Sequence, residues 1–540
     1  MPLSSKKSKY VFILGSVLSG LGKGIVTVSI GKNLEARGYG VQVIKIDPYL
    51  NLDAGTMNPT EHGECFVTED GGELDVDFGH YERFLRIQVS KHQNITTGQL
   101  YNSVIQKERR GDYLGHTVQV VPHVIDEILW RIEDQAEHNP ADVYLIEVGG
   151  TIGDIESFPF LEALRQLQRN HSDVDVCTVL LTYVPFPDHL QEHKTKPAQH
   201  SVRELRASGI FPNMIVCRSD TPVPDRALQK IANFCDVPEK AVYDLPDLPN
   251  VLYAPQKLDS QGMGDYICEV LNLEENSADW SSLDKLIKNN IENLSGKITI
   301  GVPGKYTALL DSYISVNEAL KHAGWSQGVN VELIHIDTER FEQNPESIKE
   351  LDQVDGILVP GGFGDRGTEG KILSIKYARE KGIPFLGICL GFQLAVVEYA
   401  RSVLGKSDAN STEMNESTSY PIVDILPEQK EITEKGGTMR LGAYKVELKE
   451  GTKVHELYGK SVVYERHRHR YEINPELIDD YLNTSMKFTG FWSDLAETME
   501  VEDHPFFIGT QFHPEFKSNP WNPSPPYVGL IIACKKRKNI

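Results

Sequence analysis

Two short stretches carry residue types that can do chemistry together: Gly387-Ile388-Cys389-Leu390-Gly391 and, far downstream, Gln511-Phe512-His513-Pro514-Glu515. The apolar run Ile383-Pro384-Phe385-Leu386-Gly387 leads into the first, and a helical pattern over 392–401 leaves it. Strand, small-residue turn with a central nucleophile, then helix is the geometry of a nucleophile elbow, here with cysteine. The flanking glycines allow the sharp turn, and a helix N-terminus favours the thiolate. A thiolate needs a base within hydrogen-bond reach, and that base needs an orienting carboxylate. His513 and Glu515, two apart on an extended segment, have those types and share a face. The competing reading is a core cysteine and a structural histidine, which would require neither the elbow nor the His-x-Glu pair.

A second centre lies near the start of the chain. Tyr10-Val11-Phe12-Ile13-Leu14 reads as a buried strand, followed by Gly15-Ser16-Val17-Leu18-Ser19-Gly20-Leu21-Gly22-Lys23-Gly24 and a helical pattern over 25–37. A glycine-rich loop between strand and helix presents backbone N–H groups to phosphates, with Lys23 as the point charge. The spacing is longer than in the usual P-loop, and Gly24 stands where a Ser or Thr would hold Mg²⁺. The metal must then be held by carboxylates elsewhere. Asp75, Asp77 and Glu147 are the candidates, because Mg²⁺ takes one or two carboxylates together with substrate phosphates.

These motifs need two positioning frameworks. From Tyr10 to about residue 267, apolar strand-like runs (41–46, 143–148, 178–184, 214–217) alternate with amphipathic helical patterns, implying a parallel sheet covered on both faces. A polar stretch over 271–295 reads as a linker with one short helix. Lys297-Ile298-Thr299-Ile300-Gly301-Val302 opens a second alternating series, continued at 331–336, 356–359 and 383–388. The expected fold class is therefore α/β, with two doubly wound parallel-sheet domains: 1–272, a linker 273–296, and 297–540. Residues 406–435 are polar and read as a long loop or lid. The tail Lys535-Lys536-Arg537-Lys538 reads as a solvated end.

At 540 residues each half is long enough for its own core. The formal charge of −22, from 55 basic and 77 acidic side chains, argues against a general nucleic-acid or membrane-surface binder, so anionic ligands must meet local basic clusters. Seven cysteines without a pattern suit a reducing, cytoplasmic setting. Lys6-Lys7-Ser8-Lys9 before an apolar run imitates a signal peptide, but the run is short and enters the glycine loop. No apolar stretch approaches bilayer length.

Taken together, these residues resemble the CTP synthase family over essentially the whole chain. The C-terminal half is similar to a class I glutamine amidotransferase through Pro360-Gly361-Gly362-Phe363-Gly364, the Cys389 elbow and His513-Pro514-Glu515. The N-terminal half is similar to the family's P-loop-type amidoligase domain. Its matching stretches include Ser19-Gly20-Leu21-Gly22-Lys23-Gly24, Lys45-Ile46-Asp47-Pro48-Tyr49, Glu61-His62-Gly63-Glu64, Glu147-Val148-Gly149-Gly150-Thr151, Gly153-Asp154-Ile155-Glu156-Ser157 and Lys194-Thr195-Lys196-Pro197.

The resemblance implies amination of UTP to CTP. ATP phosphorylates uracil O4, and ammonia from glutamine, passed between domains, displaces the phosphate. It implies ATP contacts at Gly20, Leu21, Gly22, Lys23, Gly24, Ile25, Asp77, Pro246, Asp247 and Leu248, with Mg²⁺ on Asp77 and Glu147. UTP or CTP contacts fall on Ser19, Asp154, Ile155, Glu156, Lys194, Thr195, Lys196, Pro197, Ala198, Gln199 and Lys230. From the residues alone, Lys194-Thr195-Lys196 is a solvated loop; the resemblance turns it into a triphosphate contact. Glutamine contacts fall on Gly362, Leu390, Gly391, Phe392, Gln393, Glu413 and Arg470, with backbone N–H groups near Gly362 and at Leu390 holding the oxyanion. His62 and Cys65 fall where the family lines an ammonia path, and Cys65 replaces a usual aliphatic residue. The family also implies GTP as allosteric activator, CTP as feedback inhibitor and a homotetramer. Two rivals remain: another ATP-driven glutamine amidotransferase such as a cobyrinic acid amidase, separated by the stretch 194–199, and a non-catalytic P-loop assembly protein.

Overall fold

The computed structural model describes residues 8–172, 175–305, 310–425, 429 and 436–540. The chain clusters into two compact units, one taking residues up to Leu52 with His80–Leu283, the other Asp53–Gly79 with everything from Asp284 onward. The stretch 53–79 thus leaves the N-terminal half and joins the C-terminal unit.

In the first unit, β1 (Lys9–Gly15), β2 (Val41–Asp47), β3 (Asn94–Thr96), β4 (Val143–Val148), β5 (Val176–Tyr183), β6 (Met214–Ser219) and β7 (Val242–Pro246) form one sheet. The order is β3-β2-β4-β1-β5-β6-β7, and each pairing is parallel. Strands such as Val-Tyr-Leu-Ile-Glu-Val in β4 are apolar along their length because helices cover both faces. β1 lies centrally, between β4 and β5, and its C-terminal end opens the glycine loop into α1 (Lys23–Ala36). That is where an open α/β sheet places its ligands. The helix Ser281–Asn290 supplies the short helix expected between the two series.

In the second unit the sheet is mixed. β8 (Lys297–Gly304), β9 (Asn330–Asp337), β10 (Gly356–Val359) and β11 (Phe385–Ile388) are parallel. They are continued by β12 (Arg440–Leu448), β13 (Val462–His469), β14 (Met486–Trp492), β15 (Leu495–Val501) and β16 (Phe507–Thr510). The order is β9-β8-β10-β11-β16-β15-β14-β12-β13. β16 pairs parallel with β11, and every pairing beyond it is antiparallel. The apolar pattern that reveals β8 to β11 is missing from β13, which carries Glu465, Arg466, His467 and His469 into the interior.

Two expectations need correction. Residues 406–435 are not a plain loop: Ala409–Ser411 and Tyr420–Ile425 form a small sheet with Tyr471–Ile473. Residues 426–428 and 430–435 of that stretch, like Lys6 and Lys7, lie outside the described residues. The basic tail ends the helix Pro525–Lys538 and binds the fold. Lys535 Nζ donates to Gln327 O at 2.7 Å, Arg537 to Val354 O at 2.9 Å, and Lys538 to Lys297 O at 2.9 Å. Cations in a helix's last turn suit its dipole and here also satisfy carbonyls of neighbouring segments. Among the described residues no helix is long and apolar enough to cross a membrane.

The helix α2 (Thr368–Lys381) packs beside α3 (Leu390–Ser402), whose N-terminus is the elbow. Close approach makes Gly391 obligatory, since a Cβ there would stand 2.1 Å from the Val359 carbonyl oxygen of β10. Gly391→Ala is expected to push α3 off the sheet and destabilise the protein by about 1–3 kcal/mol. Thermal unfolding checks this; an unchanged midpoint would refute the packing argument.

Candidate active site

Cys389 caps α3 with φ 52° and ψ −104°, a backbone conformation that non-glycine residues rarely adopt. Its N–H donates to Thr510 O of β16 at 2.7 Å, and its carbonyl accepts from Gln393 N at 3.0 Å. The neighbouring strand β16 and the helix after it therefore hold the strained residue from both sides. The side chain is buried, with Gln511 Nε2 donating toward Sγ at 3.7 Å.

His513 Nδ1 and Glu515 Oε1 are 2.7 Å apart, and Tyr527 Oη donates to Glu515 Oε2 at 3.4 Å. Nε2 of His513 is buried without a partner of ordinary hydrogen-bond geometry, and the Cys389 sulfur is its electrostatic neighbour. Burial alone would lower the imidazole's basicity. Glu515 and Cys389 outweigh it, and His513 is pushed up to about 10. Gly361 lies against both groups: a Cβ there would be 2.9 Å from His513 Cε1 and 3.6 Å from Cys389 Cβ. Cys389, His513 and Glu515 are thus brought together at one place.

A cavity of about 820 Å³ opens onto this triad. Its lining includes Gly362, Glu413 and Arg470 among the expected glutamine contacts. Glu413 Oε1 accepts from Gly364 N at 2.7 Å, and burial pushes its carboxyl up. Arg470 donates to Gln429 Oε1 and Thr438 Oγ1, each at 2.8 Å. Leu390, Gly391, Phe392 and Gln393 are buried in the first turn of α3 and stand outside the lining, with the Gln393 amide bonded to Tyr471 O at 2.8 Å.

Cys65 does line the cavity, whereas His62 does not. Burial pushes the Cys65 thiol up to about 12, so it stays protonated near neutrality. The stretch 53–79 is tied in by ion pairs that sequence reasoning missed. Arg468 Nε reaches Glu73 Oε1 at 2.8 Å and its Nη2 reaches Gly55 O at 3.0 Å. Arg466 Nε reaches Glu69 Oε1 at 3.1 Å, and Glu64 Oε2 accepts from Ser315 N at 2.7 Å. The basic run around Arg470 was the available signal, but its acidic partners sit almost 400 positions away.

In the first unit the loop ends at Gly22, which caps α1 with φ 86°. No acidic residue occupies the helix's first turn, so its N-terminus keeps its positive end. Lys23 folds back across Gly15 and donates to Gly150 O at 2.8 Å. The neighbouring Thr151 N donates to Asp154 Oδ2 at 2.6 Å, which links Lys23 through the Gly150-Thr151 turn to the 154–156 segment. Ile155 and Glu156 are exposed. Arg218, which the sequence did not single out, bridges two expected ATP segments: Nε donates to Leu21 O at 3.1 Å and Nη2 to Asp247 Oδ1 at 2.7 Å. Pro246 ends β7, with Leu248 following.

Glu147, at the end of β4, is wholly buried. Oε1 accepts from Lys45 Nζ at 3.0 Å, and Oε2 accepts from Thr27 Oγ1 at 2.9 Å and Tyr81 Oη at 2.7 Å. Lys45 and Tyr81 stand in stretches that resemble the family, but their contact with Glu147, like that of Thr27, was not anticipated. Asp77 opens the helix Asp77–Leu85, and its N–H donates to Asp75 Oδ1 at 3.1 Å. On the other side of β1, Thr195 precedes the helix Lys196–Ala207, with Pro197 in its first turn, Ala198 buried and Gln199 bonded back to Thr195 Oγ1 at 3.1 Å. Lys194 pairs with Glu192, whose carboxyl is held down first by Lys194 and also by Lys230, so both lysines share one acidic neighbour.

An α/β unit with a glycine loop at a helix N-terminus, followed by a second unit that gathers Cys389, His513 and Glu515, fits the class of ATP-driven glutamine amidotransferases. Residues 9–273 match the family described as CTP synthase N-terminus, and 308–533 match Glutamine amidotransferase class-I. The chain is 55% identical over 530 residues to CTP synthase of Methanopyrus kandleri, covering 97% of this chain and 99% of the relative. It is 51% identical over 534 residues to that of Pyrococcus abyssi (98% and 98%) and 50% over 535 residues to that of Bacillus subtilis (98% and 99%). The chain belongs to the CTP synthase family. It makes CTP from UTP, with glutamine as nitrogen donor and at the expense of ATP, and is neither an amidase of another pathway nor a non-catalytic scaffold.

The raised His513 has a consequence for stability. Its folded pKa lies above the unfolded value of about 6.5, so the imidazolium's contribution is full below that pH and is lost as pH rises toward about 10. Urea unfolding at pH 7 and pH 10 is expected to show an extra loss, on the order of a few kcal/mol, in the parent relative to His513→Gln. Parallel behaviour of the two proteins would contradict the imidazolium assignment.

Proposed function

We propose that the two units divide the reaction as follows. At the glutaminase centre, the Cys389 thiolate attacks the glutamine side-chain carbonyl, and backbone N–H groups near Gly362 and at Leu390 receive the oxyanion. His513, oriented by Glu515, delivers the proton on which ammonia leaves, and water then releases glutamate from the thioester. Arg470 suits the substrate carboxylate through its planar two-point geometry. The strained Cys389 beside an imidazole with an open Nε2 is the observation that carries this half.

At the amidoligase centre, ATP transfers its terminal phosphoryl to uracil O4. Ammonia then adds at C4, and the C4–O4 bond breaks with departure of phosphate. The loop 20–25 and Lys23 hold the transferring phosphoryl, and Pro246, Asp247 and Leu248 form the adenine side, a role supported by the Arg218 bridge from Leu21 to Asp247. Ser19, Lys194–Gln199 and Lys230 take the UTP triphosphate, and Asp154, Ile155 and Glu156 take the pyrimidine end. Glu147, Asp77 and the Thr27 hydroxyl are hard oxygen donors of the kind that Mg²⁺ accepts. Among the described residues no group of three or more acidic, His or Cys side chains forms a closed cage, which suits a metal shared with phosphate oxygens. When bound, Mg²⁺ neutralises charge on the phosphoryl oxygens; Lys45 holds the Glu147 carboxylate in place.

This reading extends to GTP as activator, CTP as feedback inhibitor, a cytoplasmic setting and a homotetramer. Assembly is supported by large apolar side chains left exposed on the first unit, including Ile105 at 58%, Leu114 at 87%, Trp130 at 54% and Phe158 at 58%.

Two experiments test the division of labour. Cys389→Ala should abolish glutamine-driven synthesis yet keep synthesis from ammonium salt at raised pH, followed by cytosine absorbance. Loss of both activities in a folded variant would refute separate centres. Lys23→Ala should lower synthesis from either nitrogen source by about 100-fold or more while leaving glutamine hydrolysis measurable. Near-normal CTP formation by that variant would end the phosphoryl-transfer role of the loop.

A further inference from the structure

Lys371 is a buried cation that none of the steps above uses. It lies in α2, only 1% exposed, and the sequence offers no hint of it, because helical lysines are ordinarily solvated. Among the described residues no carboxylate comes within ion-pair distance of it. Its Nζ donates to the Pro360 carbonyl at 3.3 Å and stands 3.6 Å from the place a Cβ would take at Gly362. It therefore sits directly behind the Pro360-Gly361-Gly362 turn, whose other side faces Cys389 and His513.

An unpaired ammonium in the interior is costly, and replacing it with an apolar side chain of similar length usually stabilises a protein. Its cost falls when negative charge develops nearby. The charged groups around it are Lys305 at the end of β8, Glu413 after the Ala409–Ser411 strand, and Cys389 at the start of α3. Burial, reinforced by Lys305, lowers Lys371 to about 7, while Cys389 and Glu413 favour its charged form. The group is thus poised near neutrality and gains a proton most readily when the thiolate or its adduct is negative.

We infer that Lys371 is a positioning residue for the oxyanion turn: held on Pro360, its ammonium fixes the backbone at Gly362 and adds positive charge behind the tetrahedral intermediate formed at Cys389. This rests on the glutaminase reading above and adds a charge to the backbone amides assigned there.

The test is Lys371→Met in the full chain, with Lys371→Gln alongside it. The Met variant should unfold at the parent's temperature or higher, because an unpaired buried charge has been removed. Its kcat for glutamine hydrolysis should fall about 10- to 100-fold with little change in KM. Affinity for glutamate γ-semialdehyde, which forms a tetrahedral adduct on the cysteine, should fall by the same factor, while affinity for glutamate stays near the parent's. Lys371→Gln keeps a donor for Pro360 without the charge and should show the same losses; parent-like turnover in that variant overturns the proposal, even if the Met variant does not fold. Equal loss of thermal stability, glutamine turnover and ammonia-driven synthesis in the Met variant would likewise overturn it in favour of a structural lysine. Cys389→Ala that still hydrolyses glutamine would instead remove the underlying reading.

Discussion

The conformation of one residue organises the C-terminal unit. Cys389 occupies a region of backbone space costing about 1–3 kcal/mol for a side-chain-bearing residue, and it persists only if its surroundings leave no alternative. Thr510 in β16 fixes its N–H, and the first turn of α3 fixes its carbonyl. Gly391 lets that helix lie directly on the carbonyl of Val359, and Gly361 lets the neighbouring turn close onto His513. Enlarging either glycine would relax the clamp. The backbone therefore aims the sulfur, which keeps only long contacts, to Gln511 Nε2 at 3.7 Å and Arg468 O at 3.9 Å, beside the cavity.

The first unit solves a different problem, that of burying a carboxylate. Glu147 lies near the end of a strand and is wholly buried, so its oxygens need partners within the protein. One ammonium and two hydroxyls share its two oxygens, and β2 and β4 place Lys45 opposite Glu147 in register. Lys23 shows a comparable arrangement nearby, resting on the Gly150 carbonyl. Both charges are held by groups that a phosphate or a metal could replace, a more economical device than building a site around an ion from the start.

Much of this was legible in the chain. The elbow, the His-x-Glu pair and the glycine loop could be read because their chemistry depends on neighbours within a few positions. The strands β1, β4, β8 and β11 could be read because burial on both faces makes them largely apolar, Glu147 in β4 apart. The strand β13 could not, since its buried arginines are compensated by Glu69 and Glu73, and no local pattern announces a partner so remote. For the same reason the tail 535–538 looked solvated although its targets, the carbonyls of Gln327, Val354 and Lys297, are invisible as side chains. Lys371 was hidden by its helix, where a lysine on the inner face resembles one on the outer.

The stretch 53–79 belongs to the compact unit formed mainly by the chain after Asp284, and Arg468 finds Glu73 across a separation of 395 positions. During synthesis on a ribosome, this stretch emerges long before the strand that neutralises it. It must remain uncommitted while the intervening sheet is completed, and its acidic residues stay hydrated until β13 arrives. Closure of so large a loop is slow, since its entropic cost precedes any stabilising contact. The cavity wall takes Gly55 to Pro59, Glu64 and Cys65 from one end of the chain and Arg468, His513 and Glu515 from the other, so the chamber can close only after both ends have been joined.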